Sequence, residues 1–229
     1  MEEVITGGVG AWADLGRRLW DVVVVGAGPA GAMVALELGR RGCAVLLLER
    51  LPFPRFKVCG ACLNGTAQEA LAHAGLGEFM ARSGAPRLTE LQITGWGRTS
   101  SVALHSSTVL SREFLDQALV RAAVEEGVVF AQGVSAELGQ VRDGIRILKV
   151  RGDEEEQSVR AQVIVSAAGL QGLRSSTIVH TLPVAKIQAG SRIGVGAVLE
   201  GGGSRYGPGT VYMVLGPAGY VGLVRQEDR

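Results

Sequence analysis

The sequence has few cysteines, few aromatic residues, no long apolar run and almost no excess of charge of either sign. Three cysteines among 229 residues are too few for a disulfide framework, which favours a reducing, cytoplasmic location. The 23 Lys and Arg residues are balanced by 22 Asp and Glu residues, so the charge gives no reason to expect a nucleic-acid partner. No apolar run approaches the roughly 20 residues that span a bilayer, so no transmembrane segment is predicted.

Glycine and small aliphatic residues are what the sequence has in excess. It contains 34 glycines, and 47% of its residues are hydrophobic, mainly Val, Leu and Ala. Buried parallel strands and their covering helices prefer such residues, and the length suits one large domain or two small ones. Residues 1–19 begin acidic and lack the apolar core of a signal peptide. They are interpreted as a loosely held extension, in which Trp12, Leu15 and Leu19 can form one short amphipathic face.

A strand, a glycine-rich turn, a helix and a second strand follow one another within residues 20–50. Residues 21–25 form a β-branched run that predicts a buried strand, and the apolar spacing after the turn predicts a helix over residues 30–41. The aliphatic residues 44–48 predict the second strand. This order is typical of a Rossmann unit, which binds a dinucleotide.

The turn carries glycines at the G-x-G-x-x-G spacing. Gly26 permits the tight turn, Gly28 lets the backbone approach a pyrophosphate, and Gly31 allows the helix to pack closely on the strand. The pyrophosphate is then expected at the positive end of the helix. Glu49 ends the second strand, where a carboxylate can accept hydrogen bonds from ribose hydroxyls and disfavours a 2′-phosphate.

Further motifs resemble those of one enzyme family. The order GAGPAG (26–31), Glu49-Arg50 and R-x-K-x-C-G (55–60) is similar to that of the geranylgeranyl reductase-like FAD-dependent oxidoreductases. These belong to the superfamily of flavin monooxygenases and flavin-dependent halogenases. The segment 110–130 resembles the family's R-x-x-F/L-D-x-x-L helix. The resemblance implies that FAD is the cofactor.

The same resemblance implies positions for individual residues at FAD. Arg112 is expected beside the flavin nucleotide, a backbone group near Val134 at the adenine, and Gly169 in the turn that returns the chain to the nucleotide domain. The residues expected at the cofactor are Gly26, Ala27, Gly28, Ala30, Gly31, Glu49, Arg50, Cys59, Gly60, Arg112, Val134 and Gly169.

Two cysteines lie close together in the segment FPRFKVCGACLN. A zinc site usually needs four ligands, and the only cysteine besides Cys59 and Cys62 is Cys43, so no metal site is predicted. A redox dithiol is an open alternative, although flavin disulfide reductases space their pair further apart and Ala67 occupies the partner's place. The family resemblance instead implies that Cys59 and Gly60 approach the flavin. Cys59 is then the candidate catalytic side chain, as a wall or a proton donor.

Two other segments do not follow the Rossmann pattern. Residues 84–109 and 181–229 contain alternating apolar positions, which predict antiparallel strands, including one over residues 192–202. The predicted fold class is α/β, a Rossmann-type FAD-binding parallel sheet with an inserted antiparallel substrate-binding sheet. The predicted domains are an extension (1–19), a discontinuous FAD-binding domain (20–83 and 110–180) and a partial substrate domain (84–109 and 181–229).

The resemblance implies an FAD-dependent oxidoreductase that transfers hydride between flavin and a double bond of an apolar, isoprenoid-like or polyketide-like substrate. The electron donor is expected to be NAD(P)H or a ferredoxin-like protein, and a lipid substrate would allow a peripheral membrane contact. A flavin-dependent monooxygenase or halogenase is the alternative within enzymes. The oligomeric state is left open.

The sequence departs from the family pattern in three places. No second Gly-Asp motif follows, so the chain is interpreted as C-terminally truncated, and an inactive nucleotide-binding fragment is a further alternative. In YMVLGP (212–217), Val214 and Gly216 stand where prenyl-lipid reductases have large aromatic residues, which weakens the case for a long isoprenoid substrate. Ala168 precedes Gly169 where relatives often have Asp.

Overall fold

The computed structural model describes residues 12–152, 155–175, 188–200 and 205–227, and the chain divides into two units. The first unit is Met1–Arg55 with Leu115–Ser191, and the second is Phe56–Phe114 with Arg192–Arg229. The α/β class with two sheets is confirmed. None of the helices in the described ranges has the length and hydropathy that crossing a bilayer requires.

Strands and short helices alternate along the described chain. The strands are β1 Leu19–Val25, β2 Val45–Glu49, β3 Cys62–Leu63, β4 Arg87–Gly95, β5 Arg98–Val109, β6 Val129–Gln132, β7 Ser135–Arg142, β8 Ile145–Arg151, β9 Glu156–Ser166, β10 Arg174–Ser175, β11 Thr210–Gly216 and β12 Gly219–Val224. The α-helices are α1 Pro29–Arg40, α2 Gly65–Leu71, α3 Gly77–Arg82 and α4 Arg112–Glu125. Short 3-10 turns cover Trp12–Asp14 and Gly169–Gln171, and a π-turn covers Ala72–Leu76.

The sheet of the first unit has the order β10-β7-β8-β9-β1-β2-β6. Strand β1 runs parallel to both β2 and β9, and β2 runs parallel to β6, whereas β7, β8 and β9 form an antiparallel meander. Every residue of β2 is buried, as expected for a strand inside a parallel sheet. The sheet therefore provides the rigid layer from which the glycine turn and Glu49 emerge.

Local sequence explains helix α1. Pro29 is at the first helical position, where its missing N–H costs nothing. The helix ends at Arg40, and Gly42 with φ +76° takes the left-handed conformation that follows many helices. The strand–turn–helix–strand order predicted for residues 20–50 is confirmed, with boundaries that differ by one or two residues.

The described part of the N-terminal extension belongs to the core, which corrects the prediction of a loosely held segment. Leu15 is only 3% exposed, and Trp12 packs against the same apolar cluster. The indole Nε1 of Trp20 donates to the Leu15 carbonyl at 3.0 Å. Leu19 does not share this face, because it begins β1 and is 41% exposed. Residues 1–11 lie outside the described ranges.

The second unit is a smaller sheet of order β12-β11-β4-β5-β3 with short helices beside it. The β4–β5 and β11–β12 pairs are antiparallel, but β11 runs parallel to β4, so the sheet is mixed rather than wholly antiparallel. The strand predicted over residues 192–202 is not found over residues 192–200, which are exposed and irregular. Residues 176–187 and 201–204 lie outside the described ranges.

The division of the chain differs from the predicted domain boundaries, because residues 56–83 join the second unit. Cys62 of β3 pairs with Val109 of β5, and the Leu110 amide donates to the Ala61 carbonyl at 2.8 Å. The Gln68 side chain of α2 also donates to a carbonyl of β5 at 2.8 Å. These long-range hydrogen bonds, which adjacent sequence does not encode, decide where the segment belongs.

Candidate nucleotide-binding site

The turn between β1 and α1 has no room for side chains at two of its glycines. Gly26 has φ +105°, and a Cβ there would collide with the carbonyl of Ala167. A Cβ on Gly31 would collide with the Gly26 carbonyl, because the first turn of α1 lies directly on the end of β1. The roles predicted for Gly26 and Gly31, a tight turn and close helix packing, are therefore what the geometry requires of these residues.

The amino end of α1 is suited to an anion. Gly28 is the N-cap with extended backbone and no side-chain cap, and the first turn carries no acidic residue. Ala30 is exposed at this end. Uncapped N–H groups at a helix start, together with the positive end of the helix dipole, favour a phosphate group.

Glu49 is held against the glycine turn. It is only 8% exposed, and its Oε2 accepts the Ala27 amide at 3.0 Å. The other oxygen, Oε1, accepts the Leu51 amide at 3.2 Å. An ionised carboxylate offers about four lone-pair positions, so capacity remains for a ribose hydroxyl.

Arg55 is a residue of this site that the sequence analysis did not assign. Its Nη2 lies 3.3 Å from Glu49 Oε2, and its Nη1 lies 3.2 Å from Oδ2 of Asp116 in α4. Arg55 is 5% exposed and Asp116 is 0% exposed. The only signal for Arg55 in the sequence is its place as the Arg of R-x-K-x-C-G, a motif that by itself assigns no role to this side chain. Its enclosure between two carboxylates from distant segments is visible only in the folded chain.

Two more predicted positions lie close to this turn in the first unit. The amide of Val134 donates to the Glu49 carbonyl at 2.9 Å, so Val134 lies at the end of β2, and its contact with the adenine stays a prediction. The Ala167 amide donates to the Val25 carbonyl at 2.8 Å, which brings the turn containing Gly169 beside the glycine loop. Gly169 is exposed, with φ +69°.

The remaining predicted positions are Arg50, Cys59, Gly60 and Arg112. Arg50 follows Glu49 and is exposed. Cys59 and Gly60 are exposed residues of the second unit, and Arg112 begins α4 in the portion assigned to that unit. Their place at a cofactor stays a prediction.

The two neighbouring cysteines are free thiols. The Cys62 thiol donates to the Gly60 carbonyl at 3.0 Å. Although the residue is exposed overall, desolvation of its sulfur raises the pKa of Cys62, and the adjacent Cys59 adds to the rise. Thiol–disulfide exchange needs a thiolate, so this environment disfavours the dithiol alternative. The ranges that the structure describes contain no group of three or more His, Cys, Asp or Glu side chains placed to hold a metal.

Known proteins are similar to this chain in both sequence and fold. A family model described as an FAD binding domain matches residues 20–200. The chain is 32% identical over 156 residues to a 1H-pyrrole-2-carbonyl-(peptidyl-carrier protein) brominase of Pseudoalteromonas luteoviolacea, covering 66% of this chain and 38% of that protein. It is also 32% identical over 163 residues to digeranylgeranylglycerophospholipid reductase 2 of Methanopyrus kandleri, with the same two coverages, 66% and 38%.

One solved structure extends the comparison to three dimensions. The flavin-dependent brominase Bmp2 superposes with a TM-score of 0.57 at 28% identity, covering 67% of this chain and 39% of that one. The chain thus spans 38% of the length of each of the two curated relatives.

Proposed function

Because the chain belongs to the family of FAD-binding domains, we propose that it is an FAD-dependent oxidoreductase. The observation that carries this proposal is the buried Glu49 carboxylate, hydrogen-bonded to the glycine turn beside the uncapped end of α1. A ribose acceptor and an anion site on one rigid edge of a sheet fit the ADP half of FAD.

The residues of the chain divide between the two halves of the cofactor. The start of α1 would hold the pyrophosphate, Glu49 the ribose hydroxyls, and the backbone at Val134 the adenine. Arg112, with Cys59 and Gly60, would contact the flavin half. When bound, FAD supplies a two-electron carrier that accepts or donates hydride.

We propose hydride transfer to a double bond of an apolar substrate, with NAD(P)H as the electron donor. An apolar groove of about 530 Å³ in the second unit supports an apolar ligand. Its lining includes Cys62 and the aliphatic residues Leu88, Leu91, Leu104, Val211 and Met213. The relative that is a lipid reductase supports the same reaction class. The role of Cys59 would be to exclude water from the reacting carbon or to donate a proton to it.

A flavin-dependent monooxygenase or halogenase is the second candidate, favoured by the similarity to a brominase in sequence and to a brominase in structure. It predicts rapid NAD(P)H-driven peroxide formation, which becomes coupled to product when an aromatic substrate is added. A reductase predicts instead that NAD(P)H oxidation depends on an alkene substrate and consumes no oxygen.

An inactive nucleotide-binding fragment is a third candidate, and one structural feature favours it. Beside α1, a groove of about 590 Å³ is lined by Glu37 and otherwise by apolar residues of α1 and of the parallel strands β1 and β9. Its Val163 is 52% exposed. Parallel sheets are normally covered on both faces, so an additional segment of a longer polypeptide would fit there.

The deciding experiment is a titration of the purified 229-residue protein with FAD, followed by flavin absorbance and fluorescence. We expect saturable binding, and an affinity about 10-fold lower in Glu49→Gln, which corresponds to about 1.4 kcal/mol. The matched control is Glu37→Gln, whose side chain lies on the surface of α1. A protein that binds none of the added FAD would support the inactive fragment. Equal FAD affinities of Glu49→Gln and Glu37→Gln would show that Glu49 does not contribute to the site.

A further inference from the structure

The amino end of helix α4 has only half of a local cap. The Phe114 amide donates to the hydroxyl of Ser111, the residue before the helix, at 3.3 Å. This is the first half of a capping box, whose second half is a Glu or Gln three residues after the cap that accepts the backbone N–H of the cap residue. Phe114 occupies that position, and a phenylalanine side chain has no such acceptor. The local sequence therefore supplies no side chain for the Ser111 amide.

A carboxylate from a distant part of the chain takes this place. The Ser111 amide donates to Glu227, at 3.1 Å from Oε2 and 3.3 Å from Oε1. Both residues are buried, with Ser111 3% exposed and Glu227 6% exposed. A buried amide without an acceptor costs free energy, and a negative charge at the start of a helix is favoured by the helix dipole. Glu227 thus completes the capping box from 116 residues away.

The topology of the second sheet brings these two residues together. Strand β12 is antiparallel to β11, β11 is parallel to β4, and β4 is antiparallel to β5, so β12 and β5 run in the same direction. Ser111 follows the last residue of β5, and Glu227 follows the last residue of β12, by two and three positions. Val224 at the end of β12 packs against the buried cluster that contains Val109 at the end of β5. The cap of α4 therefore depends on the β11–β12 hairpin.

We propose that Glu227 is a positioning residue, which completes the cap of α4 and thereby holds Arg112, the first residue of that helix, in the orientation that binds the flavin half of FAD. This inference rests on the proposed function, in which Arg112 contacts the flavin half. The peptide unit that joins Ser111 to Arg112 follows directly on the amide that Glu227 fixes. A frayed helix start would displace the arginine, whereas Glu227 itself contacts no part of the cofactor.

Two comparisons separate this role from a contribution to folding alone. ADP carries no flavin half, and the residues proposed to bind it, Glu49 and the start of α1, belong to the first unit. Loss of the cap should therefore weaken the binding of FAD but not of ADP. In addition, Gln serves in capping boxes as Glu does, so Glu227→Gln retains an acceptor that Glu227→Ala removes.

The test measures dissociation constants for FAD and ADP by calorimetry, together with the melting temperature of each ligand-free variant. The variants are Glu227→Ala, Glu227→Gln, Arg112→Ala and the double variant with alanine at both positions. The matched control is Glu78→Ala, because the Glu78 side chain is 84% exposed in the same unit.

We expect Glu227→Ala to bind FAD more weakly by about 2- to 30-fold, the range that corresponds to the loss of a helix cap. Its affinity for ADP should be unchanged, and Glu227→Gln should recover most of the affinity for FAD. When Arg112 is already alanine, Glu227→Ala should cause little further loss, because two residues that act through one contact are not additive. Glu78→Ala should bind both ligands normally.

Equal FAD affinities of Glu227→Ala and the unsubstituted protein would overturn the proposal. So would parallel losses of FAD and ADP affinity, or a full further loss when Arg112 is alanine, since each leaves Glu227 a role in folding alone. If Glu227→Ala does not fold, Glu227→Asp, which withdraws the carboxylate by one methylene, must show the same selective loss of FAD affinity. Failure of the unsubstituted protein to bind FAD would instead be a failure of the proposed function and would remove both proposals.

Discussion

Replacing Glu49 by Ala should destabilise the first unit strongly even when no nucleotide is present. The carboxylate is 8% exposed and accepts the amides of Ala27 and Leu51 at 3.0 and 3.2 Å. It also faces Arg55 Nη2 at 3.3 Å, where the arginine side chain is 4% exposed. The substitution therefore removes two hydrogen-bond acceptors and one partner of a buried ion pair.

The size of the effect follows from these contacts. Breaking a buried pair by removing one partner typically costs about 3–5 kcal/mol. A buried donor left without an acceptor costs about 1–3 kcal/mol, but these values are not additive when the groups share one network. We therefore expect Glu49→Ala to lower the free energy of unfolding by about 3–5 kcal/mol.

The measurement is equilibrium unfolding in urea at neutral pH, in the absence of nucleotide. Glu37→Ala is the matched control, since Glu37 forms ion pairs with Arg40 and Arg41 on the surface of α1. We expect a much smaller change for the control. If Glu49→Ala lowers the free energy of unfolding by less than about 1 kcal/mol, as the control does, the effect would match that of a surface ion pair. That result would refute the claim that the Glu49 carboxylate is buried and paired.

Three further outcomes follow from the described contacts. Gly31→Ala should lower the melting temperature and weaken FAD binding together, because the added Cβ collides with the Gly26 carbonyl; unchanged values would contradict the close packing of α1. Leu15→Ala should cost about 2–5 kcal/mol in urea unfolding, because the residue is 3% exposed; a neutral result would restore the interpretation of a loose extension. The folded chain raises the pKa of Cys62 above its ordinary value of 9.0. The contribution of the protonated Cys62 thiol to stability is therefore complete below pH 9.0 and is lost as the pH rises through the folded-state pKa. Its alkylation by iodoacetamide should accordingly be slower than that of the urea-unfolded chain at pH 8.5 and should increase at higher pH; equal rates at pH 8.5 would contradict the shift.

The glycine turn could be predicted because its requirements are local. A tight turn, a helix start without side chains and an acid at the end of the next strand are all written within residues 20–50. The backbone conformation of Gly26 and the close packing at Gly31 agree with the roles given to them. The parallel pairing of β1 with β2 followed from the same short stretch.

The errors concern segments whose place depends on distant partners. The sequence predicts a loose extension over residues 1–19, yet the Gln157 side chain donates to the Trp12 carbonyl at 2.7 Å, and Leu15 packs in the same apolar cluster as residues of the meander strands. The stretch 56–83 was assigned to the nucleotide domain by its position in the sequence, whereas hydrogen bonds to β5 place it in the second unit.

The sequence by itself determined the strand–turn–helix–strand unit, its nucleotide class and the carboxylate at its edge, because all of these depend on residues within the single stretch 20–50. Only the tertiary structure decided that Arg55 is enclosed between Glu49 and Asp116. Those side chains come from a strand end, an irregular segment and a helix. Their meeting depends on how the sheet and α4 pack, and the burial of a charge is a property of that packing rather than of any local pattern.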